Sequence, residues 1–276
     1  IKLARRWGRR HRGATGFEVL SLLGSFHGRT LATLAATGQP AKQISFEPLP
    51  SGFLQVEAGD LDILASAAGP HTVAVLLETI QGEGGVVPLD AAYLRGVRAL
   101  CDRLGMLMIV DDVQAGLGRT GEWFSWQGLG FRPDIATSAK ALGNGLPIGA
   151  CLAREEVAAA FVYGDHATTF GGGPVVCRAA LAEIEQRNLL ENVRARSGQL
   201  AARLGGLPGV KEVRGRGLLL AAVLDGERAA EVTERALTQG LVVNAVCPDA
   251  VRFTPPLVIT EQQVSEAVDR FARALR

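Results

Sequence analysis

Three short apolar runs in the first half of the chain end at or just before a chemically reactive residue, and this pattern constrains the fold most strongly. One run leads into Glu78, the next leads into Asp111, and residues 133–136 shortly precede Lys140. Each run has the length and composition of a buried strand. Ligands of an open parallel sheet bind outside the carboxyl ends of its strands, so we expect two acids and a lysine at one sheet edge. This combination is typical of an enzyme whose lysine amine reacts with a carbonyl group.

The alternation of strand and helix patterns around these runs predicts an α/β fold with a mostly parallel central sheet flanked by helices. Residues 90–105 have the periodicity of an amphipathic helix, whereas residues 31–60 contain several prolines and predict mostly loop. The predicted helix has one apolar stripe, formed by Tyr93, Val97, Leu100 and Leu104.

Beyond about residue 187 the pattern changes to that of a smaller α+β domain. Residues 217–224 predict a strand, and a closing helix is expected to begin after Thr260, its N-cap. We therefore predict a large domain over residues 1–186 and a small C-terminal domain over residues 187–276.

Composition narrows the classes of partner. The chain has 276 residues, a net charge of +1 and 21% charged residues, and its arginines are scattered rather than clustered. This charge distribution predicts neither a nucleic-acid partner nor a membrane surface. The sequence contains no apolar run of the roughly 18 residues that a membrane span needs and no recognisable signal peptide. We expect a cytoplasmic protein.

The cysteines and two weaker motifs predict structural roles. Four widely separated cysteines with no ligand spacing indicate free thiols and no metal site. Residues 116–121 match the glycine pattern of dinucleotide-binding loops, but no helix pattern follows, so we predict a plain loop. His27 and His166 lie in loops without an adjacent nucleophile and are interpreted as structural hydrogen-bonding residues.

Five motifs together resemble the class III aminotransferases, and within them the acetylornithine branch. They are Phe-His-Gly-Arg-Thr at residues 26–30, Gln-Gly-Glu-Gly-Gly at 81–85, Asp-Asp-Val-Gln at 111–114, Ser-Ala-Lys at 138–140, and Arg-Phe-Thr-Pro-Pro-Leu at 252–257. The motifs occur in the family's order throughout the chain. A single Ser-Ala-Lys would carry no information, but five ordered motifs are specific.

The resemblance implies a fold-type I scaffold that binds pyridoxal 5′-phosphate (PLP). Lys140 would bind the cofactor covalently and then act as the acid–base group, while Asp111 would face the pyridine nitrogen. Phe26 would stack on the cofactor ring, and Gln114 would form a hydrogen bond on the side of the ring that carries the hydroxyl group. Thr169 would bind the phosphate of the neighbouring subunit of a homodimer with a shared active site. The complete implied cofactor-binding set is Phe26, Asp111, Asp112, Val113, Gln114, Lys140 and Thr169.

The same resemblance implies how one site accepts two amino-acid substrates. Arg29 would bind the far carboxylate and Arg252 the near one, with Thr168 close to the substrate and Glu83 as the alternative partner of Arg252. The implied reaction is transamination of the terminal amine of N-acetylornithine with 2-oxoglutarate and glutamate, in arginine biosynthesis. A simple surface ion pair is the competing interpretation of Glu83 and Arg252.

Departures from the family pattern leave alternatives open. Thr79, Asp112, Asn144 and Gly173 stand where the family usually has proline, glutamate, glycine and asparagine. The family's N-terminal portion with its phosphate loop does not precede Ile1, so we expect an N-terminally incomplete polypeptide. The alternatives are a sister specificity (ornithine, succinyl-diaminopimelate, acetyl-lysine or 4-aminobutyrate) or a non-catalytic fragment without cofactor.

Overall fold

The structure is a computed structural model that describes residues 1–185 and 188–276. The predicted boundary between residues 186 and 187 therefore lies outside the described residues. The chain divides into two compact units. The first unit comprises Ile1–Thr79, Leu89–Gln114 and Trp126–Ile184, and the second comprises Ile80–Pro88, Ala115–Ser125 and Glu185–Arg276. A division at residue 186 assigns two of the second unit's segments, residues 80–88 and 115–125, to the large domain.

The strands and helices are numbered in chain order. The strands are β1 (Glu18–Leu22), β2 (Phe53–Val56), β3 (Thr72–Leu77), β4 (Ile80–Gln81), β5 (Val87–Pro88), β6 (Leu107–Asp111), β7 (Ile135–Ser138), β8 (Ala150–Ala153), β9 (Val210–Arg216), β10 (Leu219–Leu224), β11 (Asn244–Cys247) and β12 (Ala250–Phe253). The helices are α1 (Lys2–Arg12), α2 (Leu31–Ala36), α3 (Leu61–Ala67), α4 (Ala91–Leu104), α5 (Glu155–Ala158), α6 (Pro174–Ile184), α7 (Leu189–Gly205), α8 (Ala229–Thr238) and α9 (Glu261–Ala274).

The described part of the first unit contains a sheet in the order β2-β1-β3-β6-β7-β8, parallel except for the antiparallel β7–β8 pair. The strands that precede Glu78, Asp111 and Lys140 are therefore neighbours with the same direction. Their register pairs Leu77 with Val110 and Asp111 with Thr137. The expectation that two acids and a lysine follow three adjacent parallel strands is confirmed.

Two core clusters cover the two faces of this sheet because successive strand residues point to opposite sides. Leu20, Val75 and Met108 belong to one cluster with side chains of α3 and α4. Val19 and Ile109 belong to the other with side chains of α1. Burial on both faces explains why β3 is a continuous apolar run rather than an alternating one.

Helix α4 follows the predicted pattern with one correction. Asp90 caps its N-terminus by accepting hydrogen bonds from the backbone N–H groups of Ala92 and Tyr93, and Gly105 ends the helix in a left-handed conformation. The predicted stripe is buried except for Leu104, which is 39% exposed. The helix ends at this residue, and Cys101 fills the core instead.

Residues 31–60 are rich in loops, as predicted, but they include two short elements that the sequence did not indicate. The segment contains helix α2 and strand β2, which pairs in parallel with β1 at the sheet edge. Strand β2 has only four residues, and its burial does not alternate cleanly. Such a short edge strand lacks the period-2 pattern on which sequence-based assignment depends.

The second unit is built on an antiparallel sheet in the order β11-β12-β10-β9. Strand β10 lies within the predicted strand region, and all of its residues are buried. Helices α7, α8 and α9 supply most of the other core side chains. Thr260 and Gln263 form a capping box at the start of α9, as predicted for Thr260. The unit also contains the β4–β5 hairpin.

Among the described residues, no helix combines the length and apolar character required to cross a membrane. The four cysteines form no disulfide, and Cys101 is buried whereas Cys151 is exposed.

Candidate active site

The carboxylate of Asp111 lies at the end of β6 and accepts hydrogen bonds on both oxygens. His27 Nδ1 is 2.9 Å from Oδ2, while Thr137 Oγ1 and the Val113 backbone nitrogen are each 3.2 Å from Oδ1. An ionised carboxylate only accepts, so Nδ1 carries the proton in this pair. The neighbouring strand β7 supplies Thr137 because the register places it opposite Asp111.

These contacts determine the charge of Asp111. Burial by itself raises the pKa of this carboxyl, but the His27 hydrogen bond and charge, followed by the bonds from Val113 and Thr137, outweigh burial. The pKa of Asp111 is therefore below its usual value of 3.8. Asp111 is a stable anion at neutral pH.

His27 belongs to this cluster, which the sequence did not reveal. Its side chain is 1% exposed, and its backbone N–H donates to Thr37 Oγ1 over 2.9 Å. Its Nε2 is buried and has no hydrogen-bond partner within the part of the chain that the structure describes. The interpretation of His27 as a hydrogen-bonding residue missed that its partner is the candidate cofactor carboxylate. The sequence feature that could have indicated this role is the position of His27 inside the motif at residues 26–30.

Glu78 holds the loop that carries Phe26. Its Oε2 accepts a hydrogen bond of 2.9 Å from the Phe26 backbone N–H, and the side chain is buried. The half-buried Phe26 ring has Lys42 Nζ 5.0 Å and Arg29 Cζ 5.8 Å from its centroid. The ends of β3 and β6 therefore position adjacent residues of one loop.

Lys140 begins a 3₁₀ turn directly after β7 and has a left-handed backbone with φ +50°. Non-glycine residues adopt this conformation at an energetic cost and are enriched at functional sites. Its side chain is exposed. Asn144, which stands where the family has glycine, has φ +45°. Asparagine tolerates that region better than most residues, which explains why the departure is accommodated.

The remaining predicted residues of the first unit lie in connecting segments. Asp112 is buried, and its backbone N–H donates to the Thr137 carbonyl over 3.0 Å, whereas Gln114 is half-buried. Thr168 and Thr169 are exposed in the loop before α6, the helix that packs against the Lys140 turn. The proposed contacts of these threonines with substrate and a neighbouring subunit stay predictions.

The second unit brings Glu83 and Arg252 together. Arg252 Nη1 is 2.7 Å from Glu83 Oε1 and 3.1 Å from the Gly82 carbonyl, and its Nε donates to Asn244 Oδ1 over 3.2 Å. The Arg252 and Glu83 side chains are 12% and 28% exposed. This degree of burial distinguishes the pair from the freely solvated pairs that contribute little to stability.

The loop at residues 116–121 is structural, as predicted. The residues directly after it, 122–134, contain no helix. Arg119 donates from Nη1 to the carbonyls of Leu218 and Pro255 over 3.1 and 2.5 Å, and burial lowers its pKa to about 10. The arginine therefore fastens this loop within the second unit.

Comparisons with known proteins agree with the motifs. The family described as "Aminotransferase class-III" matches residues 1–275. The acetylornithine aminotransferase of Gloeobacter violaceus is 46% identical over 97% of this chain and 69% of its own length. The N-acetylornithine aminotransferase of Stenotrophomonas maltophilia has a solved structure with a TM-score of 0.82 and 35% identity, covering 99% of this chain and 70% of that one. An ornithine aminotransferase structure from Toxoplasma gondii, described with partial PLP occupancy, has a TM-score of 0.91 and 30% identity, covering 99% and 68%.

Proposed function

The chain belongs to the class III aminotransferases, and from this membership we propose that it transfers the terminal amine of N-acetylornithine to 2-oxoglutarate, forming glutamate. The enzyme class is PLP-dependent transamination on a fold-type I scaffold. The observation that carries the substrate proposal is 46% identity to an acetylornithine aminotransferase over 97% of the chain.

The residues of the first unit fit PLP chemically. The cofactor has an aldehyde, a pyridine nitrogen and a planar ring. Lys140 offers an accessible amine, Asp111 offers a carboxylate held ionised by three donors, and Phe26 offers a half-buried aromatic face. We assign these three residues to those three parts of the cofactor. Thr169, from a neighbouring subunit, is assigned to the phosphate.

When bound, PLP withdraws electrons from the substrate carbon that carries the amine. The chain's own contribution is charge and proton transfer. The Asp111 anion favours a protonated pyridine nitrogen, and His27 keeps that anion oriented through Oδ2. Lys140 would then be the acid–base group, and its Nζ would take the proton from the substrate carbon that carries the amine and hold it for the return transfer.

The substrate assignment uses two arginines. Arg29 would bind the carboxylate far from the reacting amine of both substrates, and Arg252 would bind the near carboxylate of glutamate. N-acetylornithine has no carboxylate beside its terminal amine, so Arg252 would then remain paired with Glu83. The structure supports this exchange because Glu83 binds Arg252 over 2.7 Å at a half-buried position.

Ornithine is the second candidate amino donor. The observation in its favour is the 30% identity and TM-score of 0.91 with an ornithine aminotransferase. Kinetics with N-acetylornithine, ornithine and the other sister donors would separate the candidates. A preference of at least about tenfold in kcat/KM for ornithine, roughly 1.4 kcal/mol, would overturn the N-acetylornithine assignment.

We also propose a homodimer with shared active sites in the cytoplasm. Large apolar side chains are exposed in one stretch of the first unit: Tyr163, Phe170, Val175, Leu181 and Ile184. Clustered exposed apolar residues of this kind are typical of protein interfaces.

Free cysteines are typical of a reducing compartment, which supports the cytoplasmic assignment. Because the chain has a net charge of only +1, we assign small amino acids as its ligands rather than nucleic acid or a membrane.

The test is cofactor loading of this polypeptide. After incubation with PLP, we expect a yellow absorption band, and borohydride reduction followed by peptide mapping should locate the cofactor on Lys140. Lys140→Ala should abolish this labelling and lower turnover by about 10³-fold or more. Lys211→Ala, which removes an exposed lysine of β9, is the matched control. A colourless, unlabelled wild-type protein would instead support the non-catalytic alternative.

A further inference from the structure

The loop that joins β4 to β5, residues 82–86, is held by side chains from other strands of the second unit. We call it the glycine loop. Arg214 of β9 donates from Nε to the Gly85 carbonyl over 2.8 Å. Cys247 of β11 places its Sγ 3.6 Å from the Gly84 carbonyl. Two side chains far away in sequence therefore bind successive carbonyls of this loop.

Gly85 packs closely against Cys247 and Arg214. Gly85 has φ +110°, and a Cβ atom there would lie 2.6 Å from Cys247 Sγ and 2.7 Å from Arg214 Nη2. The next residue, Val86, is fully buried with φ +55°. A β-branched residue in this region is strained and persists only where its surroundings fix the backbone. These close contacts and the two bound carbonyls therefore restrain the glycine loop against the sheet.

These contacts restrain the backbone on both sides of Glu83. Glu83 is flanked by two residues whose carbonyls are bound, with Arg252 on Gly82 and Cys247 on Gly84. Arg252 Nη1 donates both to the Gly82 carbonyl and to Glu83 Oε1. A substrate carboxylate that binds Arg252 must compete with a glutamate whose backbone is already fixed.

We propose that Arg214 and Cys247 are positioning residues for Glu83 and thereby set the preference between the two classes of substrate. This inference rests on the proposed function, in which Arg252 binds the carboxylate beside the reacting amine. A firmly held glycine loop favours the Glu83–Arg252 pair and hence a substrate without that carboxylate. A loosened loop makes Arg252 more available and favours glutamate. A ligand shifts such an equilibrium only by its difference in affinity for the two states.

The kinetic test uses Arg214→Ala with Arg228→Ala as the matched control. Arg228 is also half-buried and also donates to a main-chain carbonyl of the second unit, that of Leu275. For Arg214→Ala we expect the ratio of kcat/KM for glutamate to that for N-acetylornithine to rise about fivefold or more, mainly through KM. Arg214→Lys, which keeps a donor, should restore part of the ratio, and Arg228→Ala should leave it unchanged.

A second test needs no activity. The coupling between Glu83 and Arg252 is measured by urea unfolding of the wild type, Glu83→Gln, Arg252→Gln and the double variant. The cycle is repeated in the Arg214→Ala and Arg228→Ala backgrounds. We expect the coupling to fall at least about twofold with Arg214→Ala and to be retained with Arg228→Ala.

The outcomes separate the two hypotheses. If Glu83→Gln changes the substrate preference but Arg214→Ala behaves like Arg228→Ala in both tests, the positioning role is wrong and the proposed function stands. If Glu83→Gln leaves the preference unchanged, the exchange at Arg252 fails, and the specificity role of Arg214 fails with it.

Discussion

Asp111 shows how single contacts set the charge of a buried group. The carboxylate loses solvent at the end of β6 but gains three donors, and the donors outweigh the desolvation. Because its pKa in the folded protein lies below 3.8, Asp111 contributes stability above that pH, which is lost as the pH falls through the folded-state pKa.

The first residue-scale prediction concerns His27→Leu. Removing the Nδ1 donor leaves burial as the dominant influence, so the pKa of Asp111 should rise. The variant should lose about 1–3 kcal/mol of unfolding free energy at pH 7. This difference from wild type should shrink as the pH falls toward and below 3.8. The measurements are urea unfolding across pH and NMR titration of the Asp111 carboxyl.

The control is His166→Leu, which removes an exposed histidine whose ring nitrogen lies 3.1 Å from Lys2 Nζ. It should leave the Asp111 titration unchanged. An unaltered Asp111 pKa in His27→Leu would contradict the role assigned to this histidine.

The second residue-scale prediction is Arg252→Ala. Glutamate loses the partner of its near carboxylate, whereas N-acetylornithine loses no direct contact. The kcat/KM for glutamate should therefore fall about 30-fold or more beyond the fall for N-acetylornithine, equivalent to roughly 2 kcal/mol. Arg203→Ala, which removes an exposed ion pair with Asp269, serves as control. Equal losses for both substrates would argue against the two-arginine scheme.

At the scale of elements, the strand ends organise the candidate site. Strands β3, β6 and β7 are adjacent and parallel, so the residues that follow them share one edge. Glu78 and Asp111 then fix Phe26 and His27 of the loop after β1. A loop held by two strand ends is better suited to positioning an aromatic ring than a loop anchored only by its own turns.

The prediction at this scale concerns the cap of α9. Thr260 Oγ1 accepts from the Gln263 backbone N–H, and Gln263 Oε1 accepts from the Thr260 backbone N–H. Thr260→Ala should lower the unfolding free energy by about 1 kcal/mol. Thr260→Ser should keep most of the wild-type stability, because serine is also a good N-cap. Urea unfolding is the measurement. The exposed Gln262→Ala is the neutral control, and a Thr260→Ala loss no larger than that control would refute the capping contribution.

At the scale of the whole molecule, the proposed homodimer predicts that the exposed apolar stretch is covered by a second copy. Phe170 is 89% exposed and Val175 74% exposed in the single chain. Placing a charge in a packed interface leaves it desolvated without a partner, so Phe170→Glu and Val175→Glu should shift the dimer toward monomer by about tenfold or more in Kd. Light scattering coupled to size-exclusion chromatography measures the mass.

Leu237→Glu is the matched control, since Leu237 is 63% exposed on α8 of the second unit. This variant should remain dimeric. A wild-type chain that is monomeric at micromolar concentration, or a Phe170→Glu variant that dimerises normally, would contradict the proposed interface.

The amino-acid sequence by itself determined the local features of this fold. Residue periodicity was sufficient for β3, β6, β7 and α4, because burial of a strand or one helix face imposes a pattern within a few residues. The cap at Thr260 is likewise local chemistry. The expectation that Glu78, Asp111 and Lys140 share one sheet edge rested on the alternation of strand and helix patterns, which predicts a mostly parallel sheet. The ordered motifs identified the family, which the comparisons confirmed.

Only the tertiary structure decided the contacts between distant segments. His27 and Asp111 are 84 residues apart, and Arg214 binds the carbonyl of Gly85 across 129 residues. No local period encodes such a pairing, because it depends on which strands become neighbours and on side-chain direction after packing. The same reason explains why residues 80–88 and 115–125 belong to the second unit although their sequence neighbours belong to the first. Local sequence patterns determined most of the strands and helices, and long-range packing determined the hydrogen-bond partners of the polar groups at their ends.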